Sequence, residues 1–172
     1  MNTFFLRVGG TLLGTAIFAA TLRAEAPTVT APAASADEAR SRARLLHETV
    51  HATLHYVHHE YYREDEGLAI PAETLRRVFR EVAERQKVEL RWLAVDGQAM
   101  NTDHKPRDEF ERQAAAAIAA GKGEFEQTAE GKYRRAAAIT LTSECLKCHL
   151  PNRKSNMNRS AGLIVTIPLS QP

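Results

Sequence analysis

The stretch Glu-Cys-Leu-Lys-Cys-His over residues 144–149 constrains this chain more than any other. Cys145 and Cys148 are the only cysteines among 172 residues, and His149 follows the second directly. Three chemistries use such a pair: a redox disulfide, part of a metal site, or covalent attachment of a haem. A redox CxxC prefers a thioredoxin-like βαβ setting, and no such pattern surrounds this one. A structural zinc site takes four ligands, so the two cysteines would have to recruit scattered histidines. Haem attachment needs every residue where it stands. The cysteines form thioethers with the two vinyl groups on one porphyrin edge, and the adjacent histidine swings under the ring to the iron. Random placement of 2 Cys and 7 His produces this pattern about once in a thousand chains. The sequence therefore implies one covalent haem c held by Cys145, Cys148 and His149, and a chain that folds around it.

Haem is attached to cysteine outside the cytoplasm, and the N-terminus agrees. Residues 1–24 place Arg7 before an apolar run of about 15 residues and then small residues, the order of a secretory signal. The run is short of the roughly 20 residues that cross a bilayer. A cleaved signal is expected, with an uncleaved N-terminal anchor as the alternative and the only link to a membrane. Both put the domain in a bacterial periplasm. Export also permits a disulfide, so compartment alone does not decide the cysteine chemistry. Net charge is +2, with acids and bases interleaved, so nothing in the bulk electrostatics favours nucleic acid.

Residues 25–39 are rich in Ala, Pro, Ser and Thr and read as a disordered linker. The domain is expected over residues 40–172, enough for one core. Upstream of that boundary, Ser35 or Asp37 is available to cap a long helix over residues 37–62. Its apolar residues Leu46, Val50, Leu54, Val57 and Tyr61 recur at steps of three and four. Gly67 and Pro71 interrupt the chain, and Leu75, Val78, Phe79 and Val82 mark a second helix. Residues 88–98 change to strand character and enter an Asp96-Gly97 turn. An Ala-rich helix stops at Gly121. Three more strands follow, the first two joined at Glu130-Gly131 and the last two separated by the cysteine motif. This order fits an α+β domain, a small antiparallel sheet with helices packed on one side.

His149 fills one axial position on the iron, and the other is open to His, Met or no protein ligand. His47, His51, His55, His58 and His59 crowd the end of the first helix. At about 100° per residue the apolar stripe centres on Leu54 and Val57. His47, His58 and His51 border it, while His55 and His59 fall near the opposite face and read as solvent-exposed. A ligand must point towards the buried haem, which selects His58, with His51 as the alternative. Tyr61 and Tyr62 would wall the pocket beside it. Met100 and Met157 are the remaining candidates; Met100 reads as packing and Met157 lies in a polar loop. Arg134 and Arg135, beside Tyr133, offer charge-assisted hydrogen bonds to the haem propionates. An alternating strand with one outward arginine explains them equally well. Trp92 reads as core.

The strand LRWLAV, the segment MNTDHKPRDEFE with Asn101, Pro106, Asp108, Phe110 and Glu111, then YRRAAAITL, ECLKCH and AGLIVTIPL occur in a telling order. In this the chain resembles the PAS-like c-type haem-binding domains catalogued as a domain of unknown function. These occur as free cytochromes and as extracytoplasmic sensor domains. The resemblance covers roughly residue 44 to the C-terminus and implies a PAS-like sheet with N-terminal helices. Arg107 separates the proline and aspartate of the family's turn. Some relatives take a cysteine of the N-terminal helix as second iron ligand, and this chain has none. Asn101, Asp108 and Glu111 read as cap and turn residues rather than as chemistry.

A single haem with two protein ligands leaves no position for substrate, so electron transfer or redox sensing is expected, with a redox or signalling partner the sequence does not name. The alternative is a gas- or ligand-sensing module that acts through a separate partner, since no kinase, receiver or cyclase segment follows Pro172. An enzyme would need distal acid–base residues, and no convincing pair is present, so catalysis is not expected.

Overall fold

The computed structural model describes residues 32–96, 101–143, 145–146 and 155–170. Helix α1 runs Ala36–Tyr56 and opens where Ser35 Oγ accepts a hydrogen bond from the Glu38 amide at 3.1 Å. Asp37 and Glu38 complement the helix dipole in its first turn. Helix α2, Pro71–Gln86, starts with Pro71 in the first turn, where its missing N–H costs nothing. It ends at Lys87 in the left-handed region, with φ of 55°. Helix α3, Glu109–Ala119, is capped by Asp108, whose Oδ1 accepts from the Glu111 amide at 2.9 Å. Among the described residues no helix is long and apolar enough to cross a membrane.

Four strands, β1 (Glu89–Ala94), β2 (Glu124–Ala129), β3 (Lys132–Leu141) and β4 (Arg159–Pro168), form one antiparallel sheet in the order β1-β4-β3-β2. The β2–β3 turn is Glu130-Gly131, with φ of 51° and 68°, the paired positive values that a two-residue hairpin demands. The fold is thus α+β, with every expected helix and strand present.

Two findings correct the sequence reading. Helices cover both faces of the sheet, not one. Leu90, Trp92, Tyr133, Ile139, Leu163 and Val165 form one core with residues of α1 and α2. Leu93, Ala136 and Ile164 point the other way, into a second core with Phe110, Ala114 and Ile118 of α3. Alternation along each strand produces this split. The second correction concerns the boundary at residue 40, which falls inside α1. Ala33, in the segment read as linker, is buried and bridges to Leu169. Its amide donates to the Pro168 carbonyl and its carbonyl accepts from the Ser170 amide, both at 3.0 Å. The Ala and Pro of residues 25–39 suggested disorder, but small apolar residues also suit a tight seat beside a strand end.

The first core is latched to the β2–β3 hairpin by charge. Arg40 Nε donates to Glu126 at 2.9 Å and Arg44 Nη2 to Glu124 at 3.0 Å. Tyr133 donates its hydroxyl to Glu126, and Arg135 forks onto Glu124. Phe79 of α2 meets Trp92 of β1 with ring centroids 4.9 Å apart. Together these contacts hold α1 and α2 over the sheet and fix the walls of the space described next.

Candidate functional site

A cavity of about 890 Å³ opens between the C-terminal half of α1 and one end of the sheet. That volume falls within the range of organic cofactor sites. Its floor is Trp92 to Asp96 from the end of β1, Ile139 to Thr142 from the end of β3, and Ser160 to Gly162 from the start of β4. Three strands finish there, so the helix above spans a gap that no side chain of the sheet fills. Cys145, just past β3, lines this cavity, with its Sγ 3.6 Å from Thr142 Oγ1. Cys148 and His149 lie outside the described residues, as does Met100.

Histidines form much of the helical lining. His51, His55, His58 and His59 all line the cavity. The cause is local. After Tyr56 the helix widens into a π turn, Val57–Tyr61, closed by the Tyr62 amide donating to the Val57 carbonyl at 2.9 Å. Such turns recur at functional sites because they re-aim side chains. The division between border and opposite-face histidines holds in burial, with His47 buried, His51 and His58 half-buried, and His55 and His59 exposed. His55 and His59 are exposed as expected, yet they rim the cavity. They also stack on each other, with rings 2° from parallel. His47, placed at the border, is buried at 4% exposure and does not line the cavity.

His58 has the geometry of a ligand-ready imidazole. Its Nδ1 lies 3.0 Å from the Leu54 carbonyl. A carbonyl only accepts, so Nδ1 carries the proton, and in the neutral ring Nε2 keeps its lone pair. The same bond fixes the ring, as outer partners do for metal-binding histidines. Tyr62 packs edge-on against it at 5.6 Å between centroids.

Other expected contributors stand elsewhere. Tyr61 is 71% exposed and lines a separate apolar groove of about 430 Å³ between α1 and α2, so Tyr62, not Tyr61, walls the cavity. Arg134 does not line the cavity. It faces α3, where it pairs with Asp108 at 2.7 Å and lies over the Phe110 ring. The alternating-strand explanation of this arginine therefore holds. Arg135 is turned to the α1 face and taken up by Glu124. Met157 is exposed and away from the cavity. Asn101 accepts from the Asp103 amide, and Asp108 and Glu111 act at the start of α3, the cap and turn roles expected of them. Sequence reasoning missed three further basic residues of the lining, His104, Arg63 and Arg76, along with acidic Asp65 and Glu73. No period marks His104, which sits in a short 3-10 turn, Thr102–His104.

The residues present fit a haem. Trp92, Ile139 and Leu141 give an apolar floor, and the Cys145 thiol and a tautomer-fixed His58 both line the cavity.

The family model described as Tll0287-like matches residues 32–163. Among solved structures, the "crystal structure of the cyanobacterial heme-protein Tll0287" aligns with a TM-score of 0.55 at 19% identity. The alignment covers 73% of this chain and 91% of that one. Among curated proteins, none matches.

Proposed function

This chain belongs to the Tll0287-like family, and from that premise we propose that it is a periplasmic haem protein carrying one covalent haem c for electron transfer or redox sensing. One observation carries the reading: a single cavity is lined by both Cys145 and His58, with His58 Nδ1 tied to the Leu54 carbonyl. The name of the structural neighbour, a cyanobacterial heme-protein, points the same way. Cys145 and Cys148 would anchor the ring and His149 would take one axial position, as the CxxCH spacing requires. His58 would take the other. The haem supplies reversible one-electron chemistry. The chain's own part is to exclude water with the Trp92 and Leu141 side, to hold His58 in one tautomer, and to leave no axial position for a substrate.

Haem staining after denaturing electrophoresis tests the attachment, since covalent haem survives and loosely bound haem does not. Loss of the stain in Cys145→Ala or Cys148→Ala is expected, and an unstained wild-type protein from a host competent in haem attachment would refute the proposal. The ferrous spectrum then tests ligation. Sharp low-spin bands indifferent to CO support electron transfer, and conversion of His58→Ala to high spin assigns the ligand. A second reading, ligand sensing through a separate partner, draws on the other histidines of that cavity. It requires a wild-type spectrum that shifts with CO.

A further inference from the structure

Outside the haem cavity, one cluster has a polar residue that the fold leaves unexplained. His47, on α1, is 4% exposed, and neither of its ring nitrogens makes a hydrogen bond. Buried polar groups almost always have a partner, so an unpartnered imidazole in a core calls for a reason. Its surroundings offer one. His51 lies one turn further on, with ring centroids 5.6 Å apart, and the Glu48 carboxylate stands 3.5 Å from His47 Nδ1. One ligand atom from each of His47, Glu48 and His51 falls within 4.8 Å of the other two. The Arg135 charge on the neighbouring strand is met by Glu124.

We propose that His47, Glu48 and His51 form a second metal site that binds one divalent transition ion such as Zn2+. Two imidazoles four residues apart on a helix share one face, and with a carboxylate they make a borderline donor set suited to zinc, leaving a fourth position for water. Burial has already fixed the His47 ring, so little ordering remains to oppose binding. Glu48 is exposed and gives the ion a way in from solvent. The site uses none of the residues that would anchor the haem. His51 also lines the haem cavity, so ligation of the iron by His51 and binding of Zn2+ exclude one another.

The test is calorimetric titration of chelator-treated, haem-loaded protein with Zn2+. One ion per chain is expected, with binding weakened at least about tenfold by Glu48→Gln and by His47→Gln. Binding should be unchanged by His55→Asn, which disables the exposed His55–His59 pair. The haem spectrum should not move as Zn2+ is added. If His47→Gln fails to fold, Glu48→Gln decides alone, because its side chain is largely exposed and the substitution keeps its shape. Absence of stoichiometric uptake, full affinity in Glu48→Gln, loss in His55→Asn, or a haem spectrum that changes with Zn2+ would each overturn the site.

Discussion

Glu111 is a buried carboxylate whose loss should cost the fold measurably. Its side chain is 4% exposed, in the α3 core, and three donors converge on it. Arg91 Nη1 lies 2.7 Å from Oε2, the Arg107 amide donates to the same oxygen at 2.7 Å, and Arg134 Nη2 reaches Oε1 at 3.4 Å. Arg91 is itself only 10% exposed. Glu111→Leu therefore strands a buried guanidinium, which typically costs about 3–5 kcal/mol. Two facts pull the expectation to the low end. Arg91 Nη2 keeps the Asp103 and Lys105 carbonyls, and Arg134 keeps Asp108. We expect about 3 kcal/mol, read as a fall of roughly 1–3 M in the urea midpoint with an unchanged slope. The double variant Arg91→Met/Glu111→Leu should recover at least half of the loss, because replacing a buried pair by apolar groups is far cheaper than breaking it. If Glu111→Leu stays within about 1 kcal/mol of wild type, the network does not hold the fold. If the double variant is no better than the single, the cost is packing and not charge.

Two further outcomes follow from the ionic contacts. Glu124 and Glu126 both titrate below the ordinary carboxylate value of 4.5: for Glu124 burial pushes upward but the hydrogen bonds of Arg135 and Arg44 outweigh it, and for Glu126 the Arg40 bond leads. A carboxylate with a depressed folded pKa adds stability above its unfolded value and loses it as pH falls through the folded one. Unfolding free energy should thus decline below pH 4.5, and Glu124→Gln/Glu126→Gln should flatten that decline; equal slopes would break the link. Arg134→Ala should leave the haem spectrum and potential unmoved while lowering stability, since its partners are Asp108 and Glu111; a shifted potential would return it to the haem.

How much the sequence disclosed depended on which physical rule wrote each feature. Helix positions follow from local period and caps, and Ser35, Pro71 and Asp108 mark their starts in the structure as in the sequence. Which face of the sheet α3 covers is a tertiary choice. The available signal was the unbroken apolar run Leu163 to Val165 in β4, which alternation would forbid in a strand covered on one side only. Arg134 and Arg135 were read as a pair, although consecutive strand residues point to opposite faces, and that parity alone separates Asp108 from Glu124 as their partners. The π turn after Tyr56 left no mark in the sequence, although it carries His58 and His59.

The sheet side and the helical side of the cavity are held by different constraints. Cys145 follows β3, which pairs with β4 along its whole length from Lys132↔Pro168 to Leu141↔Arg159. A one-residue slip there would turn every side chain to the wrong face, so the sheet side that carries Cys145 has no freedom of register. The helical wall does. Moving a π turn along a helix re-pairs a few backbone hydrogen bonds and changes which side chain looks inward, with the sheet untouched. The cavity-lining histidines of α1 and its π turn all belong to this helical wall. His51, His55, His58 and His59 are spread over just this stretch, and His58, within the turn itself, has its Nδ1 proton already engaged by Leu54.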